Sequence, residues 1–175
     1  MNAYVLIGGR SRRMGTSKAD LFLDRIAAAA RPVFGEVVAV DRPDGTARMG
    51  LRTIFESPHE GEAPIFGVVR ALEDAAKQAF LLAVDYPQIT SEVLHFLRDD
   101  RRVPMWDGHP QPLCAVWDVG ELPRLRERIA RGAFDLRGAM RQEMIGETEL
   151  RAGFPGEPLR NVNTPEELEE TKRGQ

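Results

Sequence analysis

Ala3-Tyr4-Val5-Leu6-Ile7-Gly8-Gly9-Arg10-Ser11-Arg12-Arg13-Met14-Gly15-Thr16-Ser17-Lys18 is an apolar run that stops at two glycines and turns basic. Residues 3–7 are apolar without alternation, the pattern of a strand buried on both faces. Gly8 to Gly15 reads as a loop. Asp20 to Arg31 carries Leu21, Leu23, Ile26 and an alanine run, and reads as a helix ended by Pro32. Strand, glycine-rich loop and helix together are the opening of a βαβ unit.

The same alternation continues along the chain. Glu36–Val40 predicts a second buried strand and Leu51–Phe55 a short third. Pro64 suits the first turn of a helix running to about Lys77. Ala79–Val84 is the clearest strand, ended by Asp85-Tyr86-Pro87. Thr90 or Ser91 caps the next helix, which ends near Asp99–Arg102. Strands follow at Val103–Trp106 and Leu113–Trp117, and helices at Leu122–Ala130 and Asp135–Arg141. Glu143–Pro158 shows no clear period. Thr164-Pro165-Glu166-Glu167 has the form of a capping box and predicts a short helix to about Lys172. Buried strands alternating with helices give a three-layer α/β/α class with a mostly parallel sheet, here as one domain spanning residues 1–175.

Composition narrows the function classes. Over 175 residues the net charge is only −3, so no global field favours nucleic acid or a membrane, and an anion site must come from a local cluster. The single cysteine, Cys114, lies in the apolar run Leu113–Trp117, excludes an internal disulfide and suits a reducing cytoplasm. No stretch approaches the length of a membrane span, and the apolar run at the N-terminus is too short for a signal peptide.

In open α/β sheets, ligands sit beyond the carboxyl ends of the strands. The Gly8–Lys18 loop falls there, and so do Asp41, Glu56 and Asp85, after strands two, three and four. Gly8 and Gly9 let the backbone bring its N–H groups close to an anion. Arg10, Arg12, Arg13 and Lys18 place four positive charges in eleven residues. The spacing is neither that of a P-loop nor that of the dinucleotide fingerprint, so on its residues alone the segment reads as a phosphate site or as an ordinary basic loop. Asp85 ends six apolar residues, where a carboxylate is costly without a partner. Mg²⁺, which uses one or two carboxylates plus phosphate oxygens, would be a suitable one; a turn aspartate is the alternative. Asp41 and Glu56 read either as ligand-facing acids or as solvated strand ends. His59, His95 and His109 show no metal spacing.

Leu6-Ile7-Gly8-Gly9-Arg10-Ser11-Arg12-Arg13-Met14-Gly15-Thr16-Ser17-Lys18 closely resembles the L-x-G-G-x-S/A-x-R-M-G-x-x-K signature of small nucleotidyltransferases. Ala63-Pro64-Ile65-Phe66-Gly67, Asp85-Tyr86-Pro87, His109-Pro110 and Asn161-Val162-Asn163-Thr164-Pro165-Glu166-Glu167-Leu168 are similar to further segments of the MobA-type molybdenum cofactor guanylyltransferases. The resemblance implies a Rossmann-like nucleotidyltransferase fold and transfer of GMP from GTP to molybdopterin. It implies that Leu6, Ile7, Gly8 and Gly9 lie along the nucleotide, that Asp41 and Glu56 face it, and that Lys18 contacts its phosphates. Lys18, Arg13 and Asp85 would be catalytic, with Asp85 holding Mg²⁺. Asn161 and Asn163 would approach acceptor or metal, with a helix cap as the simpler role for Thr164–Glu167. GTP and molybdopterin are the implied small-molecule partners, and molybdoenzyme assembly factors the candidate protein partners. Asp41 stands where the family commonly has Asn, and Glu56 where it often has Asp. A related enzyme using CTP, one acting on a sugar or alditol phosphate, and a non-catalytic nucleotide-binding module are the alternatives.

Overall fold

The computed structural model describes residues 1–8, 18–59, 61–162 and 167. The opening strand β1 (Asn2–Leu6) is followed by helix α1 (Lys18–Ala30), strands β2 (Val37–Asp41) and β3 (Arg52–Phe55), helix α2 (Pro64–Asp74) and strand β4 (Gln78–Ala83). Helix α3 (Ser91–Asp100), strands β5 (Val103–Trp106), β6 (His109–Pro110) and β7 (Cys114–Asp118), helix α4 (Leu122–Ala130), strand β8 (Met144–Ile145) and helix α5 (Glu147–Gly153) complete it.

Five strands form the main sheet in the order β3-β2-β1-β4-β7. The first four are parallel, and β7 runs antiparallel to β4. This is the mostly parallel sheet that the apolar runs predict. Successive side chains of a strand point to opposite faces, so a strand covered on both sides must be apolar throughout. Ala3, Val5, Phe80 and Leu82 pack on one face against Phe22, Ile26 and Ala27 of α1 and Leu94 and Leu97 of α3. Tyr4, Val38, Val40 and Leu81 pack on the other against Ile65, Val68 and Leu72 of α2 and Leu125 of α4. A second, three-stranded sheet, β6-β5-β8, sits beside the first.

The chain lays β2 and β3 on one side of β1 and then crosses to put β4 on the other. The connections therefore diverge between β1 and β4, and a crevice opens there beyond the strand ends.

Two elements differ from the sequence reading. The expected helix over Asp135–Arg141 is a single 3₁₀ turn, Arg137–Ala139. Asp135 Oδ1 accepts the Gly138 N–H at 2.6 Å, a local cap that competes with helix continuation. The unassigned stretch from Glu143 contains β8 and α5, whose Arg151 lies 4.2 Å over the ring of buried Trp106. The expected C-terminal helix from Thr164 falls outside the described residues except for Glu167.

Phe80 is fully buried and its ring centroid lies 4.8 Å from that of Phe34. Phe80→Ala should cost about 3–5 kcal/mol and lower Tm by roughly 10 °C. Met49, which is 99% exposed, is the control: Met49→Ala should stay within about 0.5 kcal/mol. Thermal melts followed by circular dichroism check both; equal Tm values would contradict the assigned core.

Candidate active site

At the β1–β4 crevice lies a cavity of about 330 Å³. Leu6, Gly8, Lys18, Arg42, Glu56, His59 and Asp85 line it, together with Ala63 and Pro64 at the start of α2. Lys18 is the first residue of α1, so the positive ends of two helices border the cavity and favour an anion there.

Each side chain has a local reason for its place. Asp85 follows the turn out of β4. Its Oδ2 lies 3.6 Å from the Lys18 Nζ, while its Oδ1 is buried and has no hydrogen-bond partner among the described residues. Burial pushes the Asp85 carboxyl above its ordinary value of 3.8, and the Lys18 ammonium opposes that shift. The Val162 N–H donates to the Asp85 carbonyl at 3.0 Å, which brings the Asn161 segment alongside; Asn161 Oδ1 is likewise buried without a partner. Behind Asp85, the Tyr86 hydroxyl donates to Gln111 Oε1 at 2.9 Å, and Gln111 Nε2 donates to the carbonyls of Trp106 and His109, each at 3.1 Å. This buried chain fastens the β4 turn to the β5–β6 hairpin.

Glu56 leaves β3 and lies over the first turn of α2. A Cβ added at Gly67 would come within 2.9 Å of Glu56 Oε1 and 3.0 Å of Leu6 Cδ2, so glycine leaves room for both side chains as they stand. Glu56 Oε2 accepts from His59 Nε2 at 2.7 Å. Burial raises the Glu56 carboxyl above 4.5; the hydrogen bond from His59 partly offsets this. Gly8 plays a similar part: a Cβ there would meet Arg42 Cγ at 2.7 Å and the Arg42 backbone nitrogen at 3.1 Å.

Of the residues singled out from the sequence, Leu6, Gly8, Lys18, Glu56 and Asp85 converge on the cavity. Ile7 and Asp41 do not line it. Ile7 is 5% exposed and packs in the core. Asp41 is 6% exposed; its Oδ1 accepts the Arg42 N–H at 2.8 Å, and its carboxylate lies where a Cβ on Gly45 would fall, which builds the turn after β2. Gly9, Arg13 and Asn163 lie outside the described residues. Arg42 and His59 line the cavity without having been read as site residues. The signal for Arg42 was its position directly after a strand-end acid. For His59 it was the i, i+3 spacing from Glu56.

A family model described as "MobA-like NTP transferase domain" matches residues 3–145. This chain belongs to that family. As a MobA-like domain it is a nucleotidyltransferase. A protein of Pelotomaculum thermopropionicum named "Probable molybdenum cofactor guanylyltransferase" is 32% identical over 181 residues, covering 94% of this chain and 88% of the relative. The "Molybdenum cofactor guanylyltransferase" of Acidiphilium cryptum is 28% identical, covering 99% and 95%. The fold is shared with the crystal structure of molybdopterin-guanine dinucleotide biosynthesis protein A from Archaeoglobus fulgidus, with a TM-score of 0.83, 24% identity and coverage of 99% and 97%. No helix among the described residues is long and apolar enough to cross a membrane.

The direction of the Glu56 shift gives a stability prediction. A carboxyl whose folded value is raised stabilises the fold when protonated, below about pH 4.5, and loses that contribution as pH rises through the folded value. Glu56→Gln, which keeps an acceptor for His59, should therefore melt a few degrees above the parent at pH 7.5. The gap should close towards pH 4. A Tm deficit that is the same at both pH values would contradict the burial argument.

Proposed function

We propose that this nucleotidyltransferase transfers GMP from GTP to the terminal phosphate of molybdopterin, or of its molybdenum form, and releases pyrophosphate. The single observation that carries the reading is the convergence of Lys18, Asp85 and two helix N-termini on one cavity in a chain whose relatives bear the guanylyltransferase name.

An oxygen of the acceptor phosphate attacks the α-phosphorus of the nucleotide. A new P–O bond forms, the α–β bridging bond breaks, and pyrophosphate departs with the electron pair. The acceptor is already an anion, so the reaction needs no strong general base. What it needs is alignment and neutralisation of crowded negative charge. Lys18 supplies a compact positive charge at the mouth of α1, and Arg13 adds a second on the leaving pyrophosphate. Gly8 lies along the nucleotide, and its missing side chain leaves room for Arg42 at the start of the β2–β3 loop. Glu56 faces the nucleoside, away from the phosphates that its charge would repel.

The site suits Mg²⁺. Among the described residues, Asp85 Oδ1 is a buried carboxylate oxygen with no hydrogen-bond partner, and no group of three or more acidic, His or Cys ligands occurs. One carboxylate with phosphate oxygens and water completing the shell is the usual Mg²⁺ arrangement. When bound by Asp85, the ion would neutralise charge on the α-phosphate region. Under this reading the reaction belongs in the cytoplasm, where a lone thiol such as Cys114 stays reduced. Its product must be handed to an apoenzyme, which makes a molybdoenzyme assembly factor the expected protein partner.

Pyrophosphate release with molybdopterin and each of GTP, CTP, ATP and UTP tests the assignment. GTP should be preferred; a clear preference for CTP would replace the guanylyl assignment with a cytidylyl one. Lys18→Ala should lower turnover by about two to three orders of magnitude, the scale of one such electrostatic contact. Full activity in that variant would remove Lys18 from the mechanism.

A further inference from the structure

The cavity wall opposite Lys18 and Asp85 holds a feature that phosphate binding does not use. His59 and Glu56 form a pair at 2.7 Å, and the His59 ring stacks on Phe66 with centroids 3.7 Å apart and planes within 7°. The two side chains are only 14% and 9% exposed, yet both line the cavity. A carboxylate only accepts, so Nε2 carries the proton of this bond. Glu56 Oε2 is thereby engaged. Oε1, seated over Gly67, accepts no hydrogen bond from any described residue.

We propose that His59 is a positioning residue for nucleoside recognition, fixing Glu56 so that Oε1 is held towards the nucleoside in the cavity. This rests on the cavity being the nucleotide site proposed above. Glutamate has three rotatable side-chain bonds, and ordering a free glutamate on binding costs conformational entropy. Two restraints meet that cost before any ligand arrives. Gly67 gives the carboxylate a seat against the backbone of α2, and His59 holds its second oxygen. Phe66, one residue before Gly67 on the same helix, fixes the His59 ring in turn. Helix α2 therefore supplies both the seat and the backing for the clamp. The charge of Glu56 suits this wall to the nucleoside. Glu56 would repel a triphosphate, whereas Lys18, the first residue of α1, would attract one.

Three substitutions separate the roles of the ring. His59→Phe keeps a ring on Phe66 and removes the donor. His59→Gln keeps a donor at similar reach and removes the stack. Glu56→Gln removes the charge that the donor holds. Binding of GTP, CTP and ATP with Mg²⁺ is measured by calorimetry for each single variant and for the His59→Phe/Glu56→Gln double variant. Inorganic tripolyphosphate serves as the phosphate-only probe. His59→Phe should weaken the preferred nucleotide about 10- to 100-fold, the scale of one hydrogen bond to a charged group, and leave tripolyphosphate binding unchanged. His59→Gln should recover most of the loss. In the Glu56→Gln background, His59→Phe should have little further effect. In turnover, the loss should appear in KM for the nucleotide and not in KM for the acceptor. Parental nucleotide affinity in His59→Phe, an equal loss of tripolyphosphate, or an undiminished effect in the double variant would each overturn the proposal. A parent protein that prefers CTP or ATP would instead overturn the guanylyl assignment, and the His59 effect would then be read on that nucleotide.

Discussion

A sheet buried on both faces leaves no place for an unpaired charge except beyond its strand ends, and everything distinctive here follows from how the two ends treat their charges. At the amino end, Arg52 bridges Glu36 and Asp74 at 3.0 and 2.7 Å, and the buried Tyr4 hydroxyl donates to Asp74 at 2.9 Å. The Arg52 guanidinium holds the Asp74 carboxyl below its ordinary value, and burial with the Asp74 contact pushes the Tyr4 hydroxyl up to about 12. That network is closed. At the carboxyl end, Asp85 and Glu56 are raised by burial instead, and oxygens of Asp85 and Asn161 are buried with no hydrogen-bond partner among the described residues. Unsatisfied buried oxygens cost stability, so a fold keeps them where a ligand completes them.

Backbone clearance decides how the carboxyl edge closes. Parallel strands deliver their loops to the same rim, and those loops can converge only where side chains are missing. Gly8 admits Arg42, Gly45 admits Asp41, and Gly67 admits both Glu56 and Leu6. None of these three needs a positive φ; each is required for close approach. The same chain that must be bulky and apolar within the strands is thus reduced to hydrogen where loops and helix α2 meet at the rim. The glycines at this rim record a packing requirement as much as any need for tight turns.

The order of strands and the site were legible to different depths. The buried strands could be read because a strand covered on both sides has to be apolar without alternation, a strong signal over even five residues. Ala3–Ile7, Glu36–Val40 and Ala79–Val84 all lie within one residue of the observed strands. Their shared polarity then put Gly8, Glu56 and Asp85 at one rim before any side chain was placed. The second sheet was less readable, since β6 and β8 have two residues each and no period can show in so short a span. Asp41 had the right address but faces its own turn, because Arg42 N–H and Gly45 offer it a nearer partner and a space to fill. His59 is not legible in the sequence because its meaning depends on Phe66, and the stack between them is made by a loop folding onto a helix.

The contrast between Asp41 and Glu56 shows why an acid at a strand end is not yet a site. Both follow strands of the same sheet, and both are nearly buried. A short aspartate finds a backbone donor one residue away and is absorbed into a turn. A glutamate reaches one methylene further, past its own backbone, and must be held by other side chains. Here the hold comes from the first turn of α2 together with the His59 ring backed by Phe66. Reach thus converts one acid into scaffolding and leaves the other facing the cavity, so the fate of each strand-end carboxylate turns on whether a backbone donor lies within its length.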